Sequence, residues 1–200
     1  MGRRDFEGMD SGSMLALFSV ASSVRKSILR RYEALFISKS TKSLTRAAMI
    51  AAFYCVLTLM FQPISYGPVQ FRISEALTLL PVLCAEAVPG LFIGCLLANI
   101  LGGAMWYDVV FGSIATLLAA VCTRKMRDIP AAGAAMPVLF NGVIVGPIVY
   151  LAYSHAPGSA HSLALLLKDI GSVAVGEAVV CYVLGLAMVG AVNKAGRKCF

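Results

Sequence analysis

The chain has 200 residues, of which 59% are hydrophobic and only 14% charged, with a formal net charge of +7. A soluble domain is about 45–50% apolar and about 25% charged, so the composition excludes an ordinary soluble enzyme and points to an integral membrane protein. The positive charge is gathered in three groups rather than spread as a nucleic-acid surface: nine of the 17 basic residues (Arg3, Arg4, Arg25, Lys26, Arg30, Arg31, Lys39, Lys42 and Arg46), then Arg124, Lys125 and Arg127, then Lys194, Arg197 and Lys198.

Residues 1–43 read as a basic cytoplasmic arm without strong patterning. The apolar run at 14–21 is too short to span a bilayer, which takes about 20 residues, and Asp5, Glu7 and Asp10 argue against a signal peptide. Six apolar segments follow, at about 47–61, 72–87, 91–105, 109–122, 134–153 and 170–192, so 44–193 reads as one all-α, six-transmembrane-helix bundle. Pro63 closes the first span, Pro81 lies inside the second, and Pro89-Gly90 marks a turn. Residues 194–200 form a basic tail. With the N-terminal arm inside, six crossings put all three basic groups on the cytoplasmic side, as the positive-inside rule requires. Both termini are then cytoplasmic and the protein is multi-pass in the membrane.

Small residues punctuate the spans. Ala47, Ala48, Ala51 and Ala52 form two overlapping Ala-x-x-x-Ala pairs, and Gly142 and Gly146 form a Gly-x-x-x-Gly pair. Such spacing lets another helix approach closely, from within the protein or from a partner. The six cysteines have no C-x-x-C or zinc spacing and read as small buried hydrophobes. There is no G-x-x-x-x-G-K-[ST] motif for ATP, no catalytic set, and no cofactor or metal motif.

Polar residues at membrane depth cost free energy and are functional candidates. Glu177 lies well inside the last span and should face a cavity or a partner; a structural glutamate is the plain alternative. Arg72 and Glu75, three apart, share a helical face and form either an interfacial ion pair or part of a site, with Gln70 and Ser74 able to join either. Asn99 and Asn141 offer amides to a ligand or to a neighbouring helix. Asp108 caps the fourth helix or binds ligand, and Trp106 and Tyr107 belong to an aromatic belt or stack on a ligand. His155 and His161 sit in a polar loop. Carboxylates, amides and aromatic faces at one end of a bundle suit a flat, nitrogen-rich solute.

Four motifs carry a resemblance: Gln70-Phe-Arg-Ile-Ser-Glu75-Ala-Leu, the run from Gly94 to Asn99, Asp108-Val-Val-Phe-Gly112-Ser-Ile-Ala-Thr116, and Val175-Gly-Glu177. In that order, over roughly residues 44–193, the chain resembles the queuosine-precursor transporter family (QueT type), substrate-binding S components of energy-coupling-factor (ECF) transporters. The resemblance implies an S-component-like six-helix fold that captures a scarce nutrient on the outer face, working with a transmembrane T component and two ATPase subunits. It implies that the face formed by Ala47, Ala48, Ala51 and Ala52 docks on the T component. The implied substrates are 7-deazaguanine bases such as queuine and its aminomethyl precursor; a solute of the thiamin or riboflavin type, or a stand-alone small-solute carrier, is the alternative. Ligand chemistry then suggests that Glu177 or Glu75 accepts from the guanine-like edge and that Asp108 meets a side-chain amine.

Overall fold

Among the described residues every regular element is helical. The computed structural model describes residues 41–65, 71–154 and 162–196. The chain divides into two units, Met1–Ser43 and Leu44–Phe200, and almost all described residues belong to the second.

Helix α1 is Thr41–Met60, and the one-turn α2 is Gln62–Ser65. A 3-10 helix, Ile73–Val82, follows. Next come α3, Ala87–Leu101, and α4, Ser113–Lys125, which is led in by a π-helical segment, Asp108–Gly112. Helix α5, Pro130–Val149, runs into a second π segment, Tyr150–Ser154. Helix α6, Leu163–Val179, passes through a third, Val180–Gly185, into α7, Leu186–Lys194.

Among the described residues three helices are long and apolar enough to cross a membrane: Thr41–Met60, Pro130–Ala152 and the 32-residue Leu163–Lys194. They lie at the first, fifth and sixth predicted spans. Helix α3 is apolar but, at 15 residues, rises only about 22 Å, short of a hydrocarbon core about 30 Å thick.

The second predicted span needs correction. Residues 72–87 do not form an α-helix; their regular part is the ten-residue 3-10 helix. Pro81 inside it supplies no N–H and would crowd the carbonyl one α-turn back. The Thr78 hydroxyl also donates to the Glu75 carbonyl at 2.5 Å, taking up a backbone acceptor locally. At the far end Arg124 donates to the Pro81 and Val82 carbonyls at 2.9 and 3.4 Å, satisfying acceptors that a helix end leaves open. A residue expected only to orient the chain thus also caps its most irregular helix.

The sixth span also starts earlier than residue 170. Ser162 is the N-cap of α6, its hydroxyl accepting from the Leu165 amide at 3.4 Å, as small oxygen-bearing residues do at helix starts. Its own amide donates to the Tyr150 hydroxyl at 3.0 Å, tying α6 to the end of α5. Lys168 and Asp169 therefore lie inside the helix.

The buried face of α1 is Ala47, Ile50, Ala51, Tyr54, Cys55 and Thr58, while Met49, Phe53, Val56 and Met60 point outward. That is the i, i+3, i+4, i+7 stripe of an amphipathic helix, except that the outer face is apolar too, as a lipid-facing surface must be. Lipid tails are as apolar as leucine, so close packing rather than expulsion of water holds such helices together. Glycine supplies that closeness: a Cβ on Gly90 or Gly94 would stand 2.6 Å from the Ala47 carbonyl oxygen or 2.8 Å from that of Ala51. A Cβ on Gly146 would stand 2.7 Å from Ile170 Cα, so α5 and α6 meet backbone to backbone.

This packing divides the alanine face. Ala47 and Ala51 are buried against α3, whereas Ala48 and Ala52 remain exposed. The expectation that all four form one outward docking face is corrected accordingly: the Ala47–Ala51 pair is internal because α3 presents glycines to it. Of the described cysteines, Cys55, Cys84, Cys95 and Cys181 are buried.

Candidate functional site

Polar side chains inside the bundle gather in a connected group. The 3-10 helix supplies Glu75, which is fully buried; the Tyr54 hydroxyl of α1 donates to Glu75 Oε1. Asn141 of α5 donates its amide to Glu177 Oε1 of α6 at 2.9 Å and also interacts with Glu75, as does Thr116 of α4. The Cys181 thiol lies 3.6 Å from the Glu75 carbonyl oxygen and 3.8 Å from Glu177 Oε2. Elements far apart in sequence thus place two carboxylates around one amide.

A second group adjoins the first. Arg72 Nη2 pairs with Asp108 Oδ2 at 3.0 Å, both side chains being buried. Asn99 donates to the Asp108 carbonyl at 3.2 Å and lies 3.6 Å from the Cys95 sulfur, to which Thr116 donates at 3.3 Å. The Arg72 guanidinium is also within electrostatic reach of Glu75 and Glu177. A buried charge persists only when paired and hydrogen-bonded, and this group holds three acidic side chains around one guanidinium.

Local backbone irregularity aims these side chains. Arg72 precedes the 3-10 helix with extended backbone (φ −84°, ψ 95°). Its side chain pairs with Asp108 and not with Glu75, the ion pair that the sequence offered as one of two readings. Asp108 opens the first π segment, whose N-cap position is Tyr107, and its Oδ2 goes to Arg72 rather than to a backbone amide. Cys181 lies in the third π segment, just beyond Glu177. Single π turns inside α-helices occur frequently at functional sites because they rotate side chains out of helical register.

Of the residues singled out in the sequence, the fold assembles Arg72, Glu75, Asn99, Asp108, Asn141 and Glu177. It does not bring in Trp106, which is 73% exposed. Tyr107 stacks edge-on against Trp106 at 5.6 Å and donates to the Met105 sulfur, so this pair has the placement of an aromatic belt. Gln70, His155 and His161 lie outside the described residues. The sequence reading missed Tyr54, Thr78, Thr116 and Cys181, which look like span filler one at a time. It also missed Asp169, 2% exposed, whose sequence signal was Ser162 as a helix start.

Chemically the group has more acceptors than donors. Glu75 Oε2, Asp108 Oδ1 and Asp169 Oδ2 are buried without a hydrogen-bond partner among the described residues. Leaving a buried acceptor unmade costs about 1–3 kcal/mol, more when charged, so a solute bringing several N–H donors would recover that deficit. No three His, Cys, Asp or Glu side chains among the described residues are grouped to hold a metal ion.

An apolar helical bundle around such a polar group defines a membrane protein of the solute-handling class. The chain belongs to the QueT transporter family, whose model matches residues 44–194. Over 80 residues it is 36% identical to the queuosine precursor transporter QueT of Lactococcus lactis subsp. cremoris (strain MG1363), a match covering 39% of this chain and 47% of that relative. The chain thus aligns with about half the length of that curated relative. No solved structure matches the chain.

Proposed function

We propose that this chain is the substrate-binding S component of an ECF-type importer and that it captures 7-deazaguanine precursors of queuosine, such as queuine or its aminomethyl precursor. The observation that carries the reading is Asn141 set between Glu75 and Glu177 inside the bundle. The guanine-like edge of a deazaguanine presents adjacent N–H donors, which one carboxylate can accept together, while the Asn141 amide oxygen can accept a further one. Family membership supports a transported solute; the excess of buried acceptors favours one rich in donors.

ATP hydrolysis belongs to two partner ATPases joined through a T component, which docks on the exposed Ala48 and Ala52 of α1. Six crossings place the Arg124 group and both termini on the cytoplasmic side. The test is uptake of a labelled precursor by cells expressing this chain with and without the T component and ATPases. Uptake only with the partners is expected; uptake by the chain alone would make it a stand-alone carrier.

A further inference from the structure

We infer that Asp169 is the group that receives the ligand's cationic amine, and so sets the preference between amine-bearing and neutral deazaguanines. The inference rests on the proposed substrate class and names a residue for the end of the ligand opposite its guanine-like edge.

Asp169 is 2% exposed, and its Oδ2 has no hydrogen-bond partner among the described residues. It takes part in none of the ion pairs formed among them. Neither helix capping nor internal pairing therefore accounts for a carboxylate in the second turn of a membrane helix, where such a group calls for a partner.

Its position ties it to the site. Asp169, Val173, Gly176 and Glu177 are the buried residues of α6, a spacing that puts them on one face. Eight residues separate the two carboxylates, an axial offset of about 12 Å. A hydrogen bond of about 3 Å at each end leaves about 6 Å, the scale of a fused two-ring base with a short arm. Between them Val173 packs with Val145, Val149 and Ala115, an apolar layer that a ring lying between the two acids would have to displace. The contact of Gly146 with Ile170 fixes the rotation of α6 that keeps this face inward.

Asp108, the acid first suggested for the amine, fits that role less well. Its Oδ2 is held by Arg72 at 3.0 Å, so its charge is already balanced. Asp169 faces no such guanidinium among the described residues. A ligand ammonium would supply the missing charge and donor together, whereas a neutral substituent would leave the carboxylate unpaired.

The experiment compares two ligands that share the bicycle, 7-aminomethyl-7-deazaguanine and its neutral 7-cyano counterpart, by titration onto the full chain purified in detergent. Asp169→Asn is expected to weaken the amine ligand about ten- to hundredfold, the range for a hydrogen bond to a charged group, and to change the cyano ligand by less than about threefold. Retained binding of the cyano ligand also reports that the variant is folded. Equal weakening of both ligands, or an unchanged amine affinity, overturns the assignment. Should Asp169→Asn not fold, Asp169→Glu keeps the charge and must keep the wild-type preference for the amine; its loss overturns the assignment equally. Failure of the wild-type chain to bind either ligand would instead remove the proposed substrate class, and the role of Asp169 with it.

Discussion

The Asn141 amide nitrogen stands 2.9 Å from Glu177 Oε1, joining α5 to α6 at the depth where α6 turns into its π segment. The bond orients a carboxylate whose other oxygen faces only the Cys181 thiol, at 3.8 Å. Replacing Glu177 by Gln keeps its size and removes its charge. Binding of a deazaguanine should then weaken by well over tenfold, because the two N–H donors of the ligand lose a charged, bidentate acceptor. Titration calorimetry on the purified variant checks this; unchanged affinity in a folded variant would take Glu177 out of the site.

The Arg72–Asp108 pair makes a prediction about stability. Removing one member of a buried ion pair strands the other and costs about 3–5 kcal/mol, while replacing both with apolar residues can be nearly neutral. Arg72→Met should therefore lower the thermal unfolding temperature in detergent markedly, and Arg72→Met combined with Asp108→Leu should recover much of the loss. A double variant as unstable as the single one would mean that Arg72 acts mainly through Glu75 and Glu177.

The two alanine pairs of α1 should separate folding from transport. Ala51→Leu forces a larger side chain into the contact with Gly94, so it is expected to lower the yield and stability of folded protein. Ala48→Leu and Ala52→Leu lie on the exposed face and should fold and bind ligand normally while abolishing uptake in cells that supply the partner subunits. Normal uptake by both outer variants would leave that face to lipid alone.

Hydrophobic runs and basic loops are local properties, so α1, α5 and the long last helix were legible in the sequence. Glu177 stood out for the same reason, as an acid in an apolar run. The 3-10 helix was not legible, because a short apolar segment carries no periodicity that separates helix types. Pairings such as Arg72 with Asp108 or Asn141 with Glu177 join residues 36 positions apart, and nothing in either segment names its partner. Ala47 and Ala48 look alike until α3 brings Gly90 against one of them. Asp169 was hidden by a boundary: with the helix started at residue 170 it reads as loop, and one cap at Ser162 turns it into a buried carboxylate.

The most direct test of the central claim is calorimetric binding of queuine and its aminomethyl precursor to the purified chain, with guanine, thiamin and riboflavin as controls. Tight binding of the deazaguanines alone is the expected result, since only they combine the guanine-like donor edge with an amine-bearing arm. Binding of thiamin or riboflavin in their place, or no binding by a chain shown to be folded, would contradict it.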